Sequence, residues 1–280
     1  MYSRELAQKA ALFREKVRTS KPLVHNITNM VAANVTANAL LACGAFPVMA
    51  HAVDEVAHMV RHAQALVLNI GTLTSDQIEA MITAGQEANR VGLPVVLDPV
   101  GVGATPLRVH ACEVICSEIS LAAVRGNASE VSVLASTGGK VKGVDASSTG
   151  NSTLEDVRTL SRKLGCVVAA TGARDYVSDG NRVVAVDNGH PLLARVTGTG
   201  CMVSAIVGAF LGACAPGEWV KEALFVVASA LAYFGLAAER AAESPNVRGP
   251  GTFQWQLMDE LWLVSGEDLR RGAKIVELNC

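Results

Sequence analysis

The 280-residue chain is poor in aromatic and charged residues, which make up 4% and 18% of it, whereas 50% is hydrophobic. Small aliphatic side chains must therefore fill most of the interior. A chain of this length can bury roughly three quarters of its unfolded surface, enough for one large core. The low charge leaves less polar surface than a typical monomer has, and this indicates an oligomer.

The sequence also lacks an excess of charge of either sign. Its formal net charge is -2 and its pI is about 6.3. No basic cluster and no interleaving of basic with aromatic residues is present. Proteins that follow a phosphodiester backbone need such a positive surface, so the sequence excludes nucleic acid as a partner.

Paired cysteines, a signal peptide and long apolar runs are missing as well. The seven cysteines are scattered, without a CxxC pair or zinc-like Cys/His spacing, which favours the reducing cytoplasm. The alternating charges of residues 1–20 are typical of an amphipathic helix. The apolar segments 202–215 and 223–238 each fall short of the about 18 residues that span a bilayer. We therefore expect two buried helices and no membrane partner.

Short β-branched runs alternate with stretches of helical composition, as in α/β proteins. The runs are PLVHNI, FPVMA, ALVLNIG, LPVVLDPV, LAAVRGN and CVVAATG. They predict a mostly parallel sheet covered by helices on both faces. Asp179–Gly180 within the alternating stretch 175–195 predicts a hairpin, and hence an antiparallel edge. No linker divides the chain, so we expect a single domain over 1–280, with the polar stretch 136–153 as its longest flexible loop.

The stretch VTGTGC at 196–201 joins a glycine-rich loop to an apolar helix. Gly198 and Gly200 let several N–H groups point at one spot, where the helix dipole also favours an anion. The spacing matches neither a Walker A loop nor GxGxxG, and a plain loop-to-helix turn explains it equally well. A helix N-terminus lowers the pKa of a thiol, which makes Cys201 a candidate base or nucleophile. The alternative is that Cys201 is a small buried filler.

Polar residues follow two predicted strands at the edge where open α/β sheets bind ligands. Asp98 ends one strand and can hold magnesium. In RGNASE, Arg125 can bind phosphate and Glu130 can supply a second carboxylate. Taken singly, each residue is better explained by capping or a surface salt bridge; together with the Gly/Thr loop they indicate a phosphate site.

A third group of polar residues surrounds PLVHNITN and FPVMAH. Asn26, Asn29 and Met49 can line a small pocket that is apolar with a few polar groups, as small-molecule sites are. His25 fits a structural role and a ligand role equally well.

Read together, these stretches resemble the hydroxyethylthiazole kinase family, which belongs to the ribokinase-like superfamily, over nearly the whole chain. The stretches that carry the resemblance are HNITN, PVMAHAVDEV, LVLNIGTL, LDPVGVGATPLR, RGNASE, AATGARD, DNGH, VTGTGC and GPGTFQ. The resemblance implies a ribokinase-like three-layer fold, ATP as co-substrate with Mg²⁺, and transfer of the γ-phosphoryl group to the primary hydroxyl of hydroxyethylthiazole in thiamine salvage.

The resemblance also implies roles for individual residues. Cys201 stands where many ribokinase-like enzymes carry an aspartate base, and it would take or orient the hydroxyl proton. The remaining positions match contacts of three kinds: Met49, Gly198 and Asn26 for the thiazole; Arg125 and Thr171 for ATP; Asp98 and Glu130 for magnesium. The family forms a homotrimer with its active sites between subunits.

Three other functions remain open at this point. The first is a ribokinase-like kinase of another hydroxyalkyl heterocycle, such as a pyrimidine or pyridoxal. The second is a nucleotide-dependent dehydratase that repairs hydrated nicotinamide cofactors on the same fold. Both usually carry aspartate at the position of Cys201. The third is a sensor that binds nucleotide or thiazole without turnover, for which a base and two carboxylates would be unnecessary.

Overall fold

The computed structural model of the chain describes residues 2–136 and 150–278. Most of the stretch predicted as a flexible loop, 136–153, therefore lies outside the described residues. Its last part is not a loop, because residues 150–153 form the first turn of a helix.

Nine described strands form one sheet in the order β2-β1-β3-β4-β5-β6-β7-β8-β9. The pairs from β2 to β6 are parallel, and those from β6 to β9 are antiparallel. The strands are β1 (Leu23–Ile27), β2 (Phe46–Val48), β3 (Ala65–Asn69), β4 (Val95–Asp98), β5 (Ala123–Asn127), β6 (Val167–Thr171), β7 (Asp175–Ser178), β8 (Val183–Val186) and β9 (Ile275–Leu278). The six predicted strands and the hairpin are thus confirmed, and β9 extends the antiparallel edge beyond what the sequence predicted.

Helices cover both faces of the sheet. They are α1 (Arg4–Ser20), α2 (Ala33–Cys43), α3 (Val53–Val60), α4 (Ser75–Arg90), α5 (Pro106–Glu118), α6 (Ala128–Ser136), α7 (Gly150–Leu164), α8 (Thr199–Gly212), α9 (Glu218–Glu243), α10 (Pro250–Leu263) and α11 (Gly266–Gly272). One core joins the sheet to α1, α2 and α8 to α11, and the other joins its opposite face to α3 to α7. This arrangement confirms the predicted three-layer α/β fold.

Helix α8 lies unusually close to the sheet and runs antiparallel to β3. A Cβ at Gly212 would come within 3.0 Å of the Gln64 carbonyl oxygen, and one at Gly208 within 2.6 Å of Val67. Because only glycine permits this approach, the N-terminus of α8 is carried to the carboxyl ends of β3 and β4. Cys201 in its first turn therefore meets the residues that end those strands.

Helix α9 is longer than the segment 223–238 predicted for it. It has 26 residues, and by length and composition it could cross a membrane. Most of its apolar window is buried, however, because it packs against α1, α8 and α10. The burial confirms the predicted core helix, whereas the length corrects the expectation that this segment is too short to span a bilayer.

Helix α1 packs against α9 and α11, elements from the other end of the chain. Its Arg14 is fully buried and donates to the carbonyls of Val264 (3.0 Å), Cys43 (2.6 Å) and Leu261 (3.4 Å). The Arg14 guanidinium also lies 4.5 Å from the ring centre of Tyr233 in α9. This one cation therefore ties α1 to the ends of α2 and α10.

Candidate active site

Two amides and a carboxylate surround the Cys201 thiol where the carboxyl ends of the parallel strands meet α8. The Cys201 Sγ accepts hydrogen bonds from Nδ2 of Asn29 and from Nδ2 of Asn69, each at 3.2 Å. The Asn69 amide also donates to Oδ2 of Asp98 at 2.7 Å. The structure therefore brings the predicted residues Cys201 and Asp98 together through Asn69.

The pKa of the Cys201 thiol is raised above its ordinary value, so the expectation of a lowered pKa is wrong. Burial raises the pKa most, and the nearby Asp98 carboxylate adds to that effect. The Asn29 and Asn69 amides lower the pKa, but they do not offset the loss of water. The thiol is therefore mostly protonated at neutral pH.

The Asp98 carboxyl is buried, and its pKa is raised to about 6. Burial is the main cause; the Arg125 charge opposes it, and the Glu130 charge adds to it. The Ser204 hydroxyl lies near this carboxyl and lowers its pKa, but Oδ1 has no described hydrogen-bond partner within 3.5 Å. A buried carboxylate oxygen without a partner is well suited to a cation.

Both carboxylate oxygens of Glu130 accept hydrogen bonds from backbone N–H groups. Its Oε1 accepts from Gly101 N at 2.8 Å and its Oε2 from Asn127 N at 2.7 Å, while the Asn127 side chain caps Glu130 N at 2.9 Å. Within 2–136 and 150–278, no group of three or more His, Cys, Asp or Glu side chains could hold a metal ion. Magnesium usually takes one or two carboxylates together with waters and phosphates, so the free oxygen of Asp98 fits this ion.

The glycine-rich loop leaves the start of α8 open to a ligand. Gly198 is the N-cap residue in the left-handed region, with φ 83°, and no described side chain caps the helix. A Cβ at Gly200 would come within 2.9 Å of the Arg125 guanidinium. The first-turn N–H groups of α8 and Arg125 thus converge, as an anion site requires.

Arg125 lies in the middle of β5, not after the strand as expected, whereas Thr171 ends the neighbouring strand β6. Arg125 donates to the Thr171 hydroxyl, which lies 3.3 Å from the Gly126 carbonyl oxygen, and no described residue accepts from Arg125 Nε. Asp175 was not singled out from the sequence, although it lies near Arg125 and accepts from Gly172 N at 2.9 Å. Burial raises the pKa of Asp175 to about 7, although Gly172 and the Arg125 charge lower it.

The three candidate thiazole residues lie on different elements of the structure. Met49 follows β2, and the His51 ring connects the loop that holds Met49 to β1. The His51 Nδ1 lies 3.0 Å from Met49 O, and its Nε2 accepts from Thr28 N at 3.1 Å. Asn26 is fully buried within β1; its Nδ2 donates to Val24 O at 2.9 Å and its Oδ1 has no partner among the described residues. The described hydrogen bonds link Cys201 to Asn29 instead of Asn26.

Besides Asp175, two more residues of this region were missed by the sequence analysis. Asn69 ends β3 and pairs in register with Asp98, so its place at the end of a predicted strand was the available signal. Arg108 donates to the carbonyls of Ile70 (2.8 Å), Gly71 (2.6 Å) and Val100. It therefore holds together the loops that follow β3 and β4.

Comparison with known proteins gives consistent results. The sequence profile of the hydroxyethylthiazole kinase family matches residues 14–267. The chain is 51% identical over 268 residues to a hydroxyethylthiazole kinase of Moorella thermoacetica, covering 96% of this chain and 97% of that protein. The structure resembles that of a hydroxyethylthiazole kinase from Pyrococcus horikoshii OT3, with a TM-score of 0.86 and 44% identity over 97% of this chain and 99% of that one.

A more distant likeness bears on the fold alone. A ribokinase-like superfamily protein from Enterococcus faecalis matches with a TM-score of 0.62 at 14% identity, over 94% of this chain and 95% of that one. Together with the layered sheet, this likeness confirms the ribokinase-like fold.

Proposed function

Because the chain belongs to the hydroxyethylthiazole kinase family, we propose that it transfers the γ-phosphoryl group of ATP to the primary hydroxyl of hydroxyethylthiazole in thiamine salvage. The observation that carries the proposal is the position of Cys201, whose thiol lies in the first turn of α8 and is linked through Asn69 to the buried Asp98. A hydroxyl placed there faces an acceptor for its proton and an open helix N-terminus for the phosphoryl group.

In the reaction, the alcohol oxygen forms a bond to the γ-phosphorus while the bond to the β-phosphate oxygen breaks, and ADP leaves. The hydroxyl proton passes to Cys201 or is oriented by it towards the transferring phosphoryl group. Since burial raises the pKa of the Cys201 thiol, little of it is thiolate at neutral pH, and the protonated thiol orients the hydroxyl more often than the thiolate takes its proton. Little thiolate suffices, because a loose phosphoryl-transfer transition state requires little proton removal.

The start of α8 and Arg125 stabilise the negative charge of the transferring phosphoryl group. The N–H groups of residues 198–201 point to that group, and the helix dipole adds to their effect. Arg125 would contact the ATP phosphates, and Thr171 would hold Arg125 in place as well as contact the nucleotide. The interaction between the two side chains supports this division of roles.

Mg²⁺ bound between protein and ATP would neutralise phosphate charge. Asp98 would hold it through the oxygen that has no partner among the described residues. Glu130 could bind the ion only by giving up one of its bonds to backbone N–H groups. Its main effect would then be to fix the turn at Gly101 beside Asp98.

On the alcohol side, Met49 and Gly198 would contact the thiazole. Met49 is half-buried in a loop tied to β1, and Gly198 packs against the start of α2. Asn26 would need to expose its amide to take part, since it is fully buried. Asn29 has a better position, because it already contacts Cys201.

We further propose a cytoplasmic homotrimer with active sites between subunits, each subunit one domain over 1–280. The six described cysteines are free, as in a reducing compartment. Large apolar side chains stay exposed on α2, β2 and α10, namely Leu41, Phe46, Trp255 (76%) and Trp262 (63%). Such a surface favours burial against another subunit. Light scattering of the purified protein would test this, and a monomeric mass would contradict it.

The experiment that tests the function measures ADP release with Mg-ATP in the presence and absence of hydroxyethylthiazole. Pyridoxal and a hydroxymethylpyrimidine serve as control alcohols. Stimulation by the thiazole alone supports the proposal. Stimulation by a control alcohol only would mean that the protein is a kinase of that alcohol instead. No stimulation by any alcohol would instead support the dehydratase or the sensor.

The role of Cys201 is tested by Cys201→Ala beside Cys214→Ala, which changes a half-buried thiol just after the other end of α8. We expect Cys201→Ala to lower turnover by about 10²-fold with little change in the ATP KM. Cys214→Ala should keep full turnover. Equal turnover in the two variants would remove Cys201 from the mechanism.

A further inference from the structure

The amide of Asn69 makes four hydrogen bonds, which is its full capacity. Its Oδ1 accepts from Gly71 N at 3.0 Å and from Asn29 Nδ2 at 2.8 Å. Its Nδ2 donates to Asp98 Oδ2 at 2.7 Å and to Cys201 Sγ at 3.2 Å. Because a backbone N–H can only donate, Gly71 fixes the oxygen of Asn69 on its own side. The two amide hydrogens must then face the carboxylate and the sulfur.

Asn29 supports this orientation from the loop after β1. Its Oδ1 accepts from Ala32 N at 2.9 Å, so its Nδ2 is the group that faces Asn69 and Cys201. The space around the pair is filled, since a Cβ at Gly71 would come within 2.7 Å of the Asn29 side chain. The sulfur therefore receives two N–H donors whose directions are both fixed by backbone groups.

We infer that Asn69 is a positioning residue for phosphoryl transfer, which holds the Cys201 sulfur beside Asp98 and sets the direction in which the thiol meets the substrate hydroxyl. This role rests on the proposed function. The donors from Asn29 and Asn69 occupy one side of Sγ, and the substrate hydroxyl approaches from another. A displacement of about 1 Å at a reacting group can cost about 10²-fold in rate. The effect of losing Asn69 therefore falls on kcat and not on KM.

Two substitutions separate the possible roles of the side chain. Asn69→Leu removes all four hydrogen bonds at similar volume. Asn69→Asp keeps the oxygen that accepts from Gly71 and Asn29, but its second carboxyl oxygen shares a proton with Asp98 and no longer donates to the sulfur, so it tests the proposal even if the leucine variant folds poorly. Asn188→Leu is the matched control: Asn188 is also buried, accepts from Lys274 N at 2.7 Å and donates to Glu239 at 3.2 Å and Gly272 at 3.0 Å.

In steady-state kinetics, we expect both Asn69 variants to lose about 10-fold or more in kcat, with both KM values within about 3-fold of the parent. Asn188→Leu should lose stability without losing kcat. If Asn69 acts through the sulfur, Asn69→Asp should change kcat by less than about 3-fold in the Cys201→Ala background. Equal losses in both backgrounds, or a change confined to KM, would overturn the inference.

A second measurement needs no turnover. Iodoacetamide alkylation at one fixed pH, followed by mass spectrometry, gives the rates at Cys201 and, for comparison, at Cys214. Both Asn69 variants should slow alkylation of Cys201 by about 3-fold or more, because the thiolate loses a donor, and leave Cys214 unchanged. An unchanged or faster rate at Cys201 in a folded variant would overturn the inference. If the parent protein shows no thiazole-dependent turnover, the proposed function is refuted. The alkylation rate of Cys201 would still show whether Asn69 holds the sulfur.

Discussion

Gly198→Ala tests how tightly the glycine-rich loop is held against α2. Gly198 has φ 83°, and a Cβ there would lie 3.0 Å from Val35 Cγ2 and 3.2 Å from Ala32 Cβ. Gly217, the N-cap of α9, has nearly the same backbone, with φ 77°, but a Cβ there would have no neighbour within 4 Å. Gly217→Ala is therefore a control with the same conformational cost and no steric conflict.

The left-handed conformation costs an alanine about 1–2 kcal/mol relative to glycine, and this cost applies to both variants. Overpacking against Val35 and Ala32 adds about 1–3 kcal/mol in Gly198→Ala alone, unless α2 moves. A movement of α2 would shift Ala32, whose N–H is bonded to Asn29, and Asn29 contacts Cys201. The stability loss and the loss of activity should therefore appear together at residue 198 only.

Denaturant unfolding at one fixed protein concentration and thiazole-dependent ADP release are the two assays. We expect Gly198→Ala to be less stable than Gly217→Ala by about 1 kcal/mol or more and to lose about 10-fold or more in kcat/KM. Gly217→Ala should keep its activity. Equal stability and equal kcat/KM in the two variants would refute the steric argument.

Three further predictions concern the charged groups. Arg125→Ala should raise the ATP KM by about 10-fold with little effect on the thiazole KM. Arg182→Ala, at the exposed β7–β8 turn, is the control and should change neither KM. A rise in the thiazole KM alone would contradict the placement of Arg125 beside the ATP phosphates. Excess chelator should abolish turnover, and added Mg²⁺ should restore it. Full activity in excess chelator would exclude Asp98 as a magnesium ligand. The folded-state pKa of Asp175 is about 7, against 3.8 as its ordinary value, so the folded parent loses stability as pH rises from about 4 to 7. Asp175→Asn removes this loss, and its advantage in the free energy of unfolding, measured with denaturant, should widen between pH 5 and pH 8 by an amount on the order of a few kcal/mol. A constant difference would contradict the raised pKa.

The parallel part of the sheet was predictable because each strand is a short apolar run between helical segments. Every residue of β3 and β4 is buried, so their sequences contain no polar alternation that could confuse the pattern. Strand β9 was not predicted. It is an edge strand of four residues with only one buried position, and its sequence IVEL has little to distinguish it from a coil.

The sequence predicts a site residue only where that residue can be placed by a strand or a loop that the sequence itself reveals. Cys201 follows a glycine-rich loop, Asp98 ends a recognisable strand, and Arg125 lies within the next recognisable strand. The hydrogen bonds of Asn69 to Asn29 and Cys201 span 40 and 132 positions, and they follow from strand register and from the depth of α8. The direction of the Cys201 pKa shift depends on burial, which the helix N-terminus alone does not reveal.

The position of α1 has a consequence for biosynthesis. This helix is synthesised first, but Arg14 binds the carbonyls of Leu261 and Val264, and Ser3 N bonds Ile275 O at 2.8 Å. At typical elongation rates, roughly 10–50 s separate the synthesis of α1 from that of these partners. During that time its apolar face has no native surface to cover it. Nascent chains would therefore present one amphipathic helix to ribosome-associated chaperones for most of translation.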